Sequence, residues 1–190
     1  NCTALETIDI SSIVNIEYYA FKGCTSLKHI NIDTVETVGW EAFMNSAISG
    51  TYNLKYLRTV GDAPFRNTKI SSFIAPNLSA LTERCFNECS ELKRVEFINV
   101  ESMGSRVFLS ASSLEEVLLP KVKAVTVYCF QYCTSLKTVE LGDVESLGVG
   151  AFYGCSSFEK DINMPNLASI GSEAFRGSAI TSFVAPRVAS

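Results

Sequence analysis

The chain has 190 residues, 47% of them apolar, and a formal net charge of −4. That is enough apolar material for a core, but there is no basic run to neutralise a phosphate backbone, so nucleic-acid binding is excluded. Apolar stretches such as 124–130 are far shorter than the roughly 20 residues that span a bilayer, and no membrane insertion is expected.

Eight phenylalanines mark the chain at Phe21, Phe43, Phe65, Phe86, Phe108, Phe130, Phe152 and Phe175, at intervals of 22, 22, 21, 22, 22, 22 and 23 residues. A constant short period means one small unit stacked many times, each unable to bury its apolar face alone. The expectation is a single array of about eight to nine units over residues 1–190, a fragment of a longer protein, with further rungs or a cap beyond at least one end. The opening segment enters the frame through Leu5, Ile8, Ile10, Ile13 and Ile16. With each marker Phe as position zero, an apolar residue follows at +6 (Leu27, Leu92, Leu114, Leu136, Phe158). An alternating pair comes next at +9 and +11, as in Ile30 and Ile32, Val95 and Phe97, or Val117 and Leu119. Alternation of period two predicts short strands near 7–10, 29–32, 94–97, 116–119 and 138–141, and the spacing makes them parallel.

Pro76, Pro120, Pro165 and Pro186 stop the pairing after the strands. Gly39, Gly61, Gly104, Gly148 and Gly171 mark a second corner that needs either positive φ or close backbone approach. The Ala-Phe-x-x-Cys segment, as at Ala20 to Cys24 and Ala151 to Cys155, predicts one helical turn on the outer face. Three turns lose a residue, after Phe43, Phe65 and Phe175, and one residue is inserted near Asp161, so these rungs are expected to be irregular.

The segments Ala20-Phe21-Lys22-Gly23-Cys24-Thr25-Ser26-Leu27 and Cys129-Phe130-Gln131-Tyr132-Cys133-Thr134-Ser135-Leu136 resemble the BspA-like, Treponema-type leucine-rich repeats. The resemblance runs over essentially the whole chain. It implies an α/β leucine-rich-repeat solenoid, curved as a horseshoe, with a parallel concave sheet. It also implies an extracellular or cell-surface protein that attaches to host or neighbouring-cell components.

Six of the seven cysteines lie at the marker rungs' +3 or −1 positions, and Cys2 fits the same +3 column. They read as buried thiols acting as small hydrophobes, with no metal site and no cofactor. Tyr18, Tyr19, Trp40, Tyr128 and Tyr132 fall near the outer turn and are expected to pack between rungs.

The outward positions of the strands are +8 and +10, and they form the candidate binding face. The first column holds Thr7, His29, Thr51, Ser72, Arg94, Glu116, Thr138, Asp161 and Ser182, and the second Asp9, Asn31, Asn53, Ile74, Glu96, Leu118, Glu140, Asn163 and Val184. Rungs about 4.8 Å apart make these columns one contiguous strip. Its mixture of polar and apolar groups suits a protein or glycan ligand, and the expected function is a non-enzymatic, adhesin-like binding module. Weak end-to-end self-association is also expected, and a structural spacer is a further alternative. A glycan-binding or glycan-processing reading has one foothold in Glu96 and Glu116, whose diagonal of about 7–8 Å fits the carboxylate spacing of inverting glycosidases. No nucleophile stands beside a base, so no catalytic residue is assigned.

Overall fold

The computed structural model describes residues 2–158 and 161–188 and shows a parallel-strand solenoid of about eight turns. Each rung contributes up to two strands. The longer ones are β3 (Ser49–Asn53), β5 (Lys69–Ile74), β7 (Arg94–Glu96), β9 (Glu116–Leu119), β11 (Thr138–Leu141), β13 (Asp161–Asn163) and β15 (Ser182–Val184). The two-residue corner strands are β1 (Asn15–Ile16), β2 (Thr37–Val38), β4 (Thr59–Val60), β6 (Ala80–Leu81), β8 (Ser102–Met103), β10 (Ala124–Val125), β12 (Ser146–Leu147) and β14 (Ser169–Ile170). Every pairing is parallel, as the 22-residue spacing demands.

The predicted strands at 94–97, 116–119 and 138–141 lie in one five-stranded sheet in the order β11-β9-β7-β5-β3. The predicted strands at 7–10 and 29–32 do not form. Asp9 and Asn31 instead turn their side chains onto the backbone N–H groups of Ser11 and Asp33, at 3.0 and 2.9 Å. Gly50, at φ +89, shifts the β3 register where the turn has lost a residue. At the other end β13 and β15 pair only with each other. Phe158 fills the position held by leucine in other rungs and stacks on Phe152 at 5.2 Å, and the extra residue of this rung falls next to β13. A cleft of about 190 Å³ opens between β11 and β13 as a result.

The outer face holds no helix among the described residues, contrary to the turn predicted at Ala-Phe-x-x-Cys. The residues two before and two after every marker Phe have positive φ, from Tyr19 and Gly23 in the first rung to Glu173 and Gly177 in the last. This conformation turns alternate N–H groups out of the rung. Phe86, with Arg84 and Glu88, donates to the carbonyls of Val107, Ser105 and Leu109 in the next rung. The same triple runs from Tyr19, Phe21 and Gly23 up to Gly150, Phe152 and Gly154. Intervening residues close i→i+3 turns within the rung, such as Cys89 N–H to Phe86 O. Backbone hydrogen bonding is thereby shared between the rung and its successor, and a helix is not needed.

The glycine corner is a case of close approach. None of Gly39, Gly61, Gly104, Gly148 and Gly171 has positive φ. A β-carbon at Gly39 would collide with the backbone of Tyr18, and at Gly104 with that of Glu83.

Inside, the marker rings stack from Phe21 to Phe175 with centroids 5.1–5.8 Å apart and nearly parallel planes. All seven cysteines are free thiols, six of them buried. Three thiols bridge rungs: Cys89, Cys133 and Cys155 donate to the carbonyls of Phe65, Phe108 and Phe130 at 3.0–3.1 Å. Thr68 and Ser178, in the same column, bond their own rung's Phe65 and Phe175 carbonyls. Ser46 is buried and its hydroxyl has no partner among the described residues. Desolvating a hydroxyl without a partner costs about 1–3 kcal/mol, and Ala111 shows that alanine fits this column. Ser46→Ala is therefore expected to stabilise the fold by about 1 kcal/mol, seen as a higher urea midpoint; a lower midpoint would show that Oγ has a partner.

Candidate functional site

The sheet sets the spacing of the predicted columns. Strand register aligns Thr138, Glu116, Arg94, Ser72 and Thr51 in one row across the five strands. Glu140, Leu118, Glu96, Ile74 and Asn53 align in the second. Thr7, Asp9, His29 and Asn31 are exposed but stand on segments without strand pairing, beside β3. Asp161, Asn163, Ser182 and Val184 lie on the separate β13–β15 pair, so the sequence-derived strip is broken beyond β11.

The two glutamates at the centre of the sheet share one partner. Arg94 reaches Glu116 at 3.0 Å and Glu96 at 3.2 Å, so one guanidinium holds both carboxylates. A shallow hollow of about 230 Å³ beside this triad is lined by Leu118, Thr138 and Glu140 as well as Arg94 and Glu116. Asp161 accepts from the hydroxyls of Ser182 and Thr181 at 2.8 and 3.0 Å, and these bonds hold its carboxyl below the ordinary value. On the rim, the Lys137 ammonium bonds Glu115 at 2.6 Å and lowers that carboxyl in the same way. Among the described residues no three His, Cys, Asp or Glu side chains converge as a metal site would require.

The outer turn meets the expectation in part. Tyr18, Tyr19, Trp40 and Tyr132 are exposed and Tyr128 is half-buried, although the rings of Trp40, Tyr128 and Tyr132 still lie against Gly61, Gly150 and Gly154 of the next rung. Position −3, occupied by Tyr18 and Trp40, points away from the core because position −2 is left-handed in every rung. The sequence signal that could have assigned these rings to solvent is the polar company in their column, Asp62, Glu83 and Ser105 in the next three rungs. The Trp40 ring lies over Gly61, where any β-carbon would strike its Cδ1. A cleft of about 240 Å³ beside it is lined by Tyr19, Glu41, Asp62, Arg66, Glu83 and Arg84.

The family model described as BspA type Leucine rich repeat region matches in six copies, over residues 1–57, 33–137 and 58–181. No curated protein matches the chain. Among solved structures, a leucine rich cell surface protein from Faecalibacterium prausnitzii is 25% identical, with a TM-score of 0.58. The alignment covers 94% of this chain and 44% of that one, so this chain spans less than half the length of that protein. A leucine-rich repeat protein from Bacteroides ovatus is 21% identical with a TM-score of 0.40, covering 93% of this chain and 71% of that one. The T. pallidum leucine rich repeat protein is 23% identical with a TM-score of 0.44, covering 80% and 75%. The repeat frame, the stacked parallel rungs and a family match over nearly the full length agree, and the chain belongs to the BspA type leucine-rich repeat family.

Proposed function

We propose that this chain is a non-enzymatic, adhesin-like binding module of a cell-surface protein, with the strand face on the inner curve of a horseshoe. The observation that carries the reading is the composition of the five-stranded face. Two registered rows combine Arg94, Glu96 and Glu116 with outward Ile74 and Leu118 on strands fixed by hydrogen bonds on both sides, and Glu140 continues the second row on the edge strand β11. Rigid backbone with mixed polar and apolar side chains is what a protein partner needs from a surface of this kind. The two glutamates are already engaged by Arg94, which favours recognition over glycan hydrolysis. Support for the surface location comes from the likeness to the Faecalibacterium leucine rich cell surface protein. No helix among the described residues is long and apolar enough to cross a membrane.

The test is affinity capture from host-cell surface extracts with the wild-type chain and with Ile74→Asp/Leu118→Asp. Both residues are half-buried and outward, so the double variant is expected to fold, checked by circular dichroism, and to lose the captured proteins. Capture of the same proteins by the folded variant would end the strand-face reading.

A further inference from the structure

We propose that the cleft at Trp40 is a binding site for a neutral, pyranose-based oligosaccharide running along the solenoid axis on the outer face. Trp40 is the chain's one tryptophan and is 61% exposed, an unusual position for a residue with so much apolar surface. It is also held rigidly. Its N–H and ring pack against Gly61, and its carbonyl accepts from Tyr19 at 2.9 Å. A fixed indole face with a free outer side is a platform for a flat ligand surface carrying polarised C–H bonds, which the negative face of the ring attracts.

The polar groups beside the ring decide what kind of ligand fits. Glu41 is paired with Lys22, Glu83 with Arg84 at 2.9 Å, and Arg66 with Glu88 at 3.1 Å. Their charges are therefore largely cancelled inside the site, which disfavours a phosphate, a nucleic acid or a strongly cationic peptide. Their unused lone pairs and N–H groups remain. Planar carboxylates and guanidinia offer two atoms each, a match for adjacent hydroxyls. Asp62, in the row directly after Trp40, has one oxygen fixed by the Glu83 N–H at 3.2 Å and makes no ion pair among the described residues. Its second oxygen is a placed acceptor. A ligand with an apolar face and many hydroxyls, but no charge, satisfies all of these groups together.

Geometry also sets the ligand's direction. Tyr18, Trp40, Asp62 and Glu83 hold the same position in four successive rungs, a row with a step of about 4.8 Å. That step is close to the length of one sugar unit in a chain. One ring can lie on Trp40 while the next meets Asp62 and Glu83, so affinity rises with chain length.

Because Trp40 is unique, its fluorescence reports this cleft alone. The chain is titrated with glucose and with the hexasaccharides of cellulose, starch, xylan, mannan and chitin, and separately with a Lys/Arg hexapeptide. At least one hexasaccharide is expected to shift the emission saturably, and to bind at least roughly tenfold more tightly than its monosaccharide. By calorimetry, Trp40→Ala is expected to lose that binding. Asp62→Asn, which keeps an oxygen for the Glu83 N–H, is expected to weaken it with an unchanged unfolding midpoint. Ile74→Asp/Leu118→Asp on the strand face is expected to leave it intact, which separates this site from the proposed protein-binding face. Unchanged emission with every hexasaccharide at millimolar concentration overturns the proposal. So does equal binding of the basic peptide, or full sugar binding by folded Trp40→Ala.

Discussion

Phe108→Ala is expected to lower the unfolding free energy by about 3–5 kcal/mol, the range for truncating a fully buried aromatic ring. Phe108 has no exposed surface and stacks between Phe86 and Phe130, at 5.8 and 5.3 Å. Removing it takes away two aromatic contacts and leaves a void that its neighbours cannot fill, because the backbone at positions −2, 0 and +2 is pinned to the next rung. Phe175 is half-buried and meets one marker ring, Phe152, at 5.4 Å. Phe175→Ala is expected to cost clearly less, since nearest-neighbour stacking lets an outer rung open before the array does. Equal losses in urea denaturation at the two positions would contradict that stacking.

Alkaline pH is expected to unfold the chain through its thiols. Burial pushes Cys89 up to about 11 and Cys129 and Cys155 up to about 12, and it holds Cys85 and Cys133 well above their ordinary 9.0. The native state keeps these protons while the unfolded chain releases them above about pH 9, so the unfolded state binds fewer protons and stability falls as pH rises. Below pH 9 the contribution is complete and constant. Above it, each thiol costs up to about 1.4 kcal/mol per pH unit until its native value is reached. Tyr52, raised by burial to about 12 from 10.0, adds to the loss above pH 10. Urea midpoints at rising pH measure the slope, and Cys129→Ala/Cys155→Ala is expected to flatten it. Midpoints that stay constant to pH 10.5 in the wild type would mean that the thiols titrate freely and are not sealed in the core.

Positions that face the core were the legible ones. The marker Phe, the +6 leucine and the +9/+11 pair are apolar because each is walled in by the same position of its neighbours, so composition there tracks burial directly. Gly39 and Gly104 were equally readable, since a colliding backbone leaves only one residue type. The outer turn was not. Its Ala-Phe-x-x-Cys spacing puts apolar residues where a helix would, and the left-handed sites beside each Phe are held by tyrosine, glutamate, arginine and serine as well as glycine and asparagine. Their conformation comes from hydrogen bonds to another rung, not from local preference. The two strands lost at 7–10 and 29–32 failed through side-chain competition: Asp9 and Asn31 take up the backbone N–H groups two residues on, in place of a ladder. As for the candidate site, register placed the central columns correctly from Asn53 to Glu140, while Trp40 was hidden because an aromatic near a repeat looks like packing.

The outer ladder has a direction. Positions −2, 0 and +2 always give their N–H groups forward, and positions −3, −1 and +1 of the following rung always receive them. Each rung is thus a plug on one side and a socket on the other, and every plug fits every socket. Cutting the chain at two marker phenylalanines and rejoining it would bring together surfaces already suited to each other, with no new interface to invent. The array can therefore grow or shrink by whole rungs, and the length of its strand face becomes an adjustable dimension rather than a fixed property of the fold.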